Sequence, residues 1–346
     1  MYFSAKNYDA LVSIDMNSGI CRIEKRFFAE YTTTFCAHSK SICYKNCVFC
    51  IPRYSHYIIK YELQTGIVSK FMVPDMTDNK SVFTEAVRVG GKIICFPEFY
   101  DWIISFDMDT NDISKIEKIA ENSKPESYIF TSNAAERENK ILIPFFNGDR
   151  MLQFDKNTKD ISIIDLNIKA KGISGIACDR DYTFLKDDNT CYALNDDGKE
   201  LAKWENASGI LYTINNSAWI VDKTKKQIHR IDMEKLSLEE YQIKNSDLSD
   251  ETCNWIESAI LNDSIYVFMQ RNGSETGIFL FDGEREGYKP VSMEYFMNDF
   301  FENKSIFEEH IEKILPMAEI LKNANLHLQD ETCNVGKDIY QLMKEA

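Results

Sequence analysis

LVSIDMNSGICRI (11–23), IIKYELQTGIVSK (58–70), IISFDMDTNDISK (103–115) and MLQFDKNTKDISI (151–163) are copies of one unit. In each, a short apolar strand ends in an acid, a turn follows, and a second strand begins. CYALNDDGKELAK (191–203), IHRIDMEKLSLEE (228–240) and IFLFDGEREGYKP (278–290) continue the series more loosely. The residue at the acid position is Asp15, Glu62, Asp107, Asp155, Asn195, Asp232 and Asp282. The recurrence falls near the ~40–50 residues of a four-stranded propeller blade.

Turn chemistry accounts for the repeated acid. Asp or Asn at the start of a hairpin turn accepts hydrogen bonds from backbone amides two residues on. Ser18, Thr65, Thr110 and Thr158 recur three places later, followed by Gly19, Gly66 and Asn111 in the first three copies. The carboxylates are therefore read as turn caps, not as a catalytic ladder.

Two further strand-like runs precede each hairpin, so each copy reads as strands a, b, c and d of one blade. The second copy offers TTFCAHSK and CVFCIP, the third FTEAVRV and KIICFP, the fourth SYIFTSN and KILIPF. Later copies offer GISGIAC and YTFLK, GILYTI and AWIVD, and WIESAIL and SIYVFM. The first copy has only MYFSA, ALVSID and ICRIEKRF. Its innermost strand is absent or comes from elsewhere, with the stretch after Val291 as the candidate donor. The expected fold is all-β: a seven-bladed β-propeller over residues 1–292, or six blades if the first copy is absorbed into the last.

The segment VGGKIICFPEFYDWIISFDMDTNDI, from Val89, carries Gly90-Gly91 before a strand and an aromatic hairpin ending in Phe106-Asp107 with a Thr110-Asn111 turn. In these features it resembles the kelch or galactose-oxidase-like propellers. The resemblance implies a fold and no activity, since propellers host many unrelated functions.

After Ser292 the pattern changes. Ser305 with Glu308 forms a capping box, and a helix to about Lys322 is expected, kinked at Pro316. A second helix is expected over 335–344, with Val335, Ile339, Leu342 and Met343 on one face. Residues 293–346 thus read as an α-helical C-terminal extension packed on the propeller.

Composition narrows the function. Of 346 residues, 40 are Lys or Arg and 55 Asp or Glu, a net charge of −15. That charge argues against nucleic acid and anionic membranes as partners. No run of eighteen apolar residues and no signal-peptide pattern is visible, so a cytoplasmic protein is expected. The ten cysteines form no repeating disulfide framework, which agrees with a reducing compartment. Cys43, Cys47 and Cys50 have the spacing of an iron–sulfur triad, but on one extended strand Cys47 and Cys50 point to opposite faces. No cofactor or metal is expected.

The b–c loops open on one face of a propeller. Here they are SAKNYD (4–9), PRYSHY (52–57), PEFYDW (97–102) and FFNGDR (145–150) in blades one to four, against KDDNT, DKTKKQ and QRNGSET in the others. The first four bring Tyr8, Tyr54, Phe99, Tyr100, Phe145 and Phe146 to one rim, with Arg53, His56, Glu98, Asp101 and Arg150. Aromatic rings mixed with charge are the composition of a binding surface. The expected function is a non-catalytic binding or scaffold protein whose partner is a protein segment or a carbohydrate. Truncating Tyr54, Tyr100 or Phe146 is then expected to cost binding and little stability. The alternative is a propeller lyase or hydrolase with His56 as base and a divalent metal held by Glu98, Asp101 or Asp149. No nucleophile–base motif supports it, and His56 is the one histidine placed on the rim.

Overall fold

The computed structural model describes residues 1–4, 10–26, 38–76, 81–119, 130–131, 133–170, 172–244, 253–261, 263–271 and 275–294. These residues form strands and turns in seven blades. Blade one is β1 (Tyr2–Ser4), β2 (Ala10–Ile14) and β3 (Ile20–Arg26). Blade two is β4 (His38–Tyr44), β5 (Cys47–Pro52), β6 (Tyr57–Glu62) and β7 (Val68–Met72). Blade three is β8 (Phe83–Val89), β9 (Lys92–Pro97), β10 (Trp102–Asp107) and β11 (Ile113–Lys118). Blade four is β12 (Ala135–Arg137), β13 (Lys140–Pro144), β14 (Arg150–Asp155) and β15 (Ile161–Asp165). Blade five is β16 (Gly175–Cys178), β17 (Thr183–Lys186), β18 (Thr190–Leu194) and β19 (Glu200–Glu205). Blade six is β20 (Ile210–Ile214), β21 (Ser217–Asp222), β22 (Gln227–Asp232) and β23 (Ser237–Tyr241). Blade seven is β24 (Cys253–Leu261), β25 (Ser264–Arg271), β26 (Glu275–Phe281) and β27 (Glu286–Glu294). The helices expected from Ser305 and Val335 lie outside the described residues.

The repeated acids cap their turns. Asp155 Oδ1 accepts the backbone N–H groups of Asn157 at 2.8 Å and Thr158 at 3.0 Å, and Asp107, Asp232 and Asp282 repeat the geometry, while Asn195 Oδ1 accepts those of Asp197 and Lys199. The amides of Thr158 and Asn157 hold the Asp155 carboxyl below its ordinary range. Four residues after the acid the backbone turns left-handed at Gly19, Gly66 and Asn111, the reason for Gly or Asn there.

Within each blade the strands run antiparallel, so successive side chains serve two different seams. Leu11 joins the core between blades one and two, whereas Val12 joins the core between blades seven and one. One apolar cluster fills each seam. The largest, between blades two and three, contains Phe49, Ile58, Phe83, Cys95 and Phe106. Cys43 and Cys50 face the blade one–two core while Cys47 faces the blade two–three side. The triad is thus split across the sheet, as the alternation of an extended strand requires.

Three expectations shift. Strand a of blade two is HSKSICY, not TTFCAHSK: the chain reverses at Lys45-Asn46, with Lys45 left-handed, and SICY is drawn into the ladder. The first strand of blade four is Ala135–Arg137, later than SYIFTSN, with Phe130 joined to Phe145 by a single bridge. In blade one, β1 takes the innermost place against β4, and the last residues of β27 complete the blade at its outer edge. There Ser292, Met293 and Glu294 pair in parallel with Ile20, Cys21 and Arg22. The propeller strand therefore continues past residue 292.

Candidate functional site

The b–c loops are laced to the chain entering the next blade. Val82 N donates to Arg53 O at 2.6 Å, Glu98 N to Val82 O at 2.8 Å, and Val73 N to His56 O at 3.0 Å. These bonds fix the loops of blades two and three as a single surface.

On that surface the expected residues divide by burial. Glu98 is fully buried, and Arg53 crosses the seam to it with a paired contact, Nε to Oε2 at 3.0 Å and a terminal nitrogen to Oε1 at 3.1 Å. Ser81 also donates its hydroxyl to Glu98 Oε2. Both carboxylate oxygens are thereby committed to structural partners. Tyr100 is buried as well: its ring packs edge-on against Phe83, and its hydroxyl donates to Pro74 O at 2.7 Å. Burial, with the charges of Asp75 and Asp101 nearby, pushes its phenol up to about 12. Phe145 is buried against Phe130, ring centres 4.7 Å apart, and Arg150 lies over its outer side at 4.6 Å.

The other residues remain accessible. Phe146 is 42% exposed. Its backbone oxygen accepts Ile173 N at 2.9 Å, and its ring covers Gly172, whose φ of +103° suits glycine. Tyr54, His56 and Phe99 are half-buried, with Arg53 5.7 Å from the centre of the Tyr54 ring, and Asp101 and Asp149 are exposed. Tyr8 lies outside the described residues.

On these loops Tyr100, Phe145 and Glu98 are thus buried, while Tyr54, His56, Phe99, Phe146 and Arg150 are half-buried or exposed. The pattern of aromatic loops could be read from sequence, but which ring of each pair points inward could not. For the metal-dependent alternative, no group of three or more His, Cys, Asp or Glu that could hold an ion is gathered among the described residues.

A second polar set, missed at the sequence level, joins the innermost strands around the axis. Lys40 on β4 meets Glu85 on β8 at 2.5 Å, the side chains 5% and 3% exposed. Ser4 on β1 and His38 Nδ1 on β4 are 3.0 Å apart, and Tyr212 on β20 meets Ser258 on β24 at 2.9 Å. Burial drives the His38 imidazole down to about 3, so it is neutral at physiological pH. A signal was present: Lys40 and Glu85 each stand third in the innermost strand of consecutive blades.

No protein-family model matches the sequence, and no curated protein matches it. Solved structures do. The apo form of AztD from Citrobacter koseri superposes with a TM-score of 0.51 at 10% identity, over 85% of this chain and 95% of that one. A quinonprotein alcohol dehydrogenase-like protein from Bacteroides thetaiotaomicron gives a TM-score of 0.51 at 12% identity, over 84% and 76% of the two chains. At such identities the likeness is one of fold, and it agrees with the propeller built above from the repeat.

Proposed function

We propose that this chain is a non-catalytic binding module of kelch-like type, which takes a protein segment or a carbohydrate on the b–c face of blades one to four. The observation that carries this reading is the division of rings on that face. Phe146 is presented to solvent and Tyr54 is half-buried, on loops whose undersides carry the buried Tyr100, Phe145 and the Arg53–Glu98 pair. Pre-organised aromatic anchors lose little conformational freedom on binding, which suits recognition. Commitment of Glu98 to Arg53 and Ser81 leaves the alternative lyase or hydrolase with one fewer ligand. A reducing, cytoplasmic setting belongs to the same reading and rests on the cysteine usage.

The test is a peptide-display library and a glycan array probed with the wild type, Phe146→Ala and Tyr100→Ala. Phe146→Ala is expected to keep the melting temperature and to weaken captured ligands by roughly 1–2 kcal/mol. Tyr100→Ala is expected to cost stability, about 3 kcal/mol or more, because a buried ring leaves a cavity. Unchanged binding in a well-folded Phe146→Ala protein would move the site off this face.

A further inference from the structure

The b–c loop of blade four closes as a hairpin between β13 and β14. Phe145 N donates to Arg150 O at 2.9 Å, and Gly148 N donates to Phe145 O at 3.0 Å. Phe146 and Asn147 are therefore the two central residues of a turn, and Gly148 follows in the left-handed region at φ +75°. A Cβ on Gly148 would stand 2.9 Å from Ala170 Cβ and 3.3 Å from Ile173 Cγ1. Backbone angle and packing thus both require glycine after Asn147.

Of the asparagines among the described residues, Asn147 alone precedes a glycine. It is exposed, and among the described residues no hydrogen bond holds its carboxamide. Other asparagines are tied. Asn195 Oδ1 accepts the amides of Asp197 and Lys199, Asn133 Nδ2 donates to Ser174 O, and Asn215 Nδ2 donates to Asp282 O. A carboxamide carbon is an electrophile, and the next amide nitrogen in the chain is the nucleophile within its reach. A side chain on that next residue shields the nitrogen, and Gly148 has none.

We propose that Asn147 is a modification site, at which water converts the carboxamide to an acid through a cyclic imide formed with Gly148. Base takes the Gly148 amide proton, and the nitrogen attacks Asn147 Cγ. The new N–C bond forms, the Cγ–Nδ2 bond breaks, and ammonia leaves with a proton from solvent. Water then opens the imide at either carbonyl and yields aspartate or isoaspartate. Water is consumed and ammonia released in equal amounts, and nothing is oxidised or reduced. Aspartate sets a second carboxylate in the loop of Asp149, beside the exposed Phe146. Isoaspartate also lengthens the main chain, so the closure between Phe145 and Arg150 no longer fits. One bond restrains the reaction: Gly148 N must leave Phe145 O before it attacks, so conversion in the folded protein follows opening of this turn.

The experiment ages the full-length protein at mildly alkaline pH, native and in urea. Peptide mapping with fragmentation that separates aspartate from isoaspartate reads the product. Both acids are expected at Asn147 in the native protein. They should appear ahead of any at Asn17 and Asn157, which are exposed but precede Ser18 and Thr158. Conversion should quicken in urea, where the turn bond is absent, and with rising pH. Asn147→Gln should stay unmodified, because its longer side chain closes the imide ring far more slowly. Amide exchange at Phe145 should quicken in the aged wild type and not in aged Asn147→Gln. A native protein that keeps its Asn147 carboxamide while the urea-treated chain converts overturns the proposal, since the fold then blocks the chemistry. Equal conversion at Asn17 and Asn157 overturns it too. Conversion with unchanged exchange at Phe145 overturns the effect on the loop. No ligand enters this test, so its outcome is separate from that of the function proposed above.

Discussion

The seam between blades two and three and the seam that closes the ring, between blades seven and one, solve one packing problem with different chemistry. Blades two and three are joined by side chains: Lys40–Glu85 and Arg53–Glu98 cross the boundary, with Tyr100 reaching Pro74 O above a large apolar cluster. The closing seam is joined by backbone. Three residues of β27 pair in parallel with β3, and Lys289 Nζ donates to Asn17 O at 2.6 Å. Its apolar cluster is smaller, built on Phe3, Val12, Phe268 and Ile278. Neighbouring blades are held close by a short linker, so their seam needs side-chain specificity to set register. The closing seam joins residues more than 270 apart, and its ladder must hold the ends of a long loop together.

The largest way to break this comparison is at Lys40–Glu85. Glu85→Gln leaves a buried ammonium without its counter-charge, and a loss of about 3–5 kcal/mol is expected in chemical denaturation. The double variant Lys40→Met with Glu85→Leu should recover most of that loss, because paired buried charges contribute little net stability over apolar groups of similar size. If Glu85→Gln costs less than about 1 kcal/mol, the pair behaves as a solvated surface bridge and the side-chain account of this seam fails.

The closing seam is expected to break at Gly19. Its φ is +75°, and a Cβ there would run into the Pro290 carbonyl oxygen of β27. The left-handed backbone alone costs an L-residue about 1–2 kcal/mol, and the backbone clash adds to it. Gly19→Ala should lower stability less than Glu85→Gln but act locally. Hydrogen exchange at the amides of 291–294 should accelerate while the blade two–three seam stays protected. Uniform acceleration across all blades would mean that closure is not a separate unit of stability.

The same contrast explains what could be read from the sequence. The turn acids were legible because their chemistry is local: Asp107 bonds amides two and three residues on. The blade count followed from them. The inter-blade charges were legible only by position: Lys40 and Glu85 are 45 residues apart, and their matching third places in consecutive innermost strands do not by themselves show that the two side chains meet. Closure was half legible. The stretch after Val291 does complete blade one, but at β3 and not at the axis, because β1 already fills the inner position against β4. On the b–c face the aromatic loops were legible as a set. The split between Phe145, buried against Phe130, and Phe146, exposed, rests on a contact between residues fifteen apart, which no local pattern of hydrophobicity reports.

The smallest expected effect tests whether blade one is tied to blade two in the same way as blade two to blade three. His38 lies on the innermost strand of blade two, fully buried, with Nδ1 3.0 Å from the Ser4 hydroxyl of blade one. Burial lowers its folded-state pKa from 6.5 to about 3. The unfolded chain therefore takes up a proton near pH 6.5 that the folded chain refuses until about pH 3. The contribution of neutral His38 is complete above pH 6.5 and is lost as pH falls from there toward 3; at pH 5 the loss is about 2 kcal/mol. Burial also raises the Glu24 carboxyl and lowers the His229 imidazole, so the comparison must be with a matched variant. His38→Asn keeps an acceptor near the Nδ1 position and removes the titration. The stability difference between wild type and His38→Asn, measured by urea denaturation at pH 7 and pH 5, should shift by about 2 kcal/mol in favour of the variant at the lower pH. Parallel curves for the two proteins would show that water reaches His38 in the folded state, and that the seam beside blade one is looser than the one beside blade three.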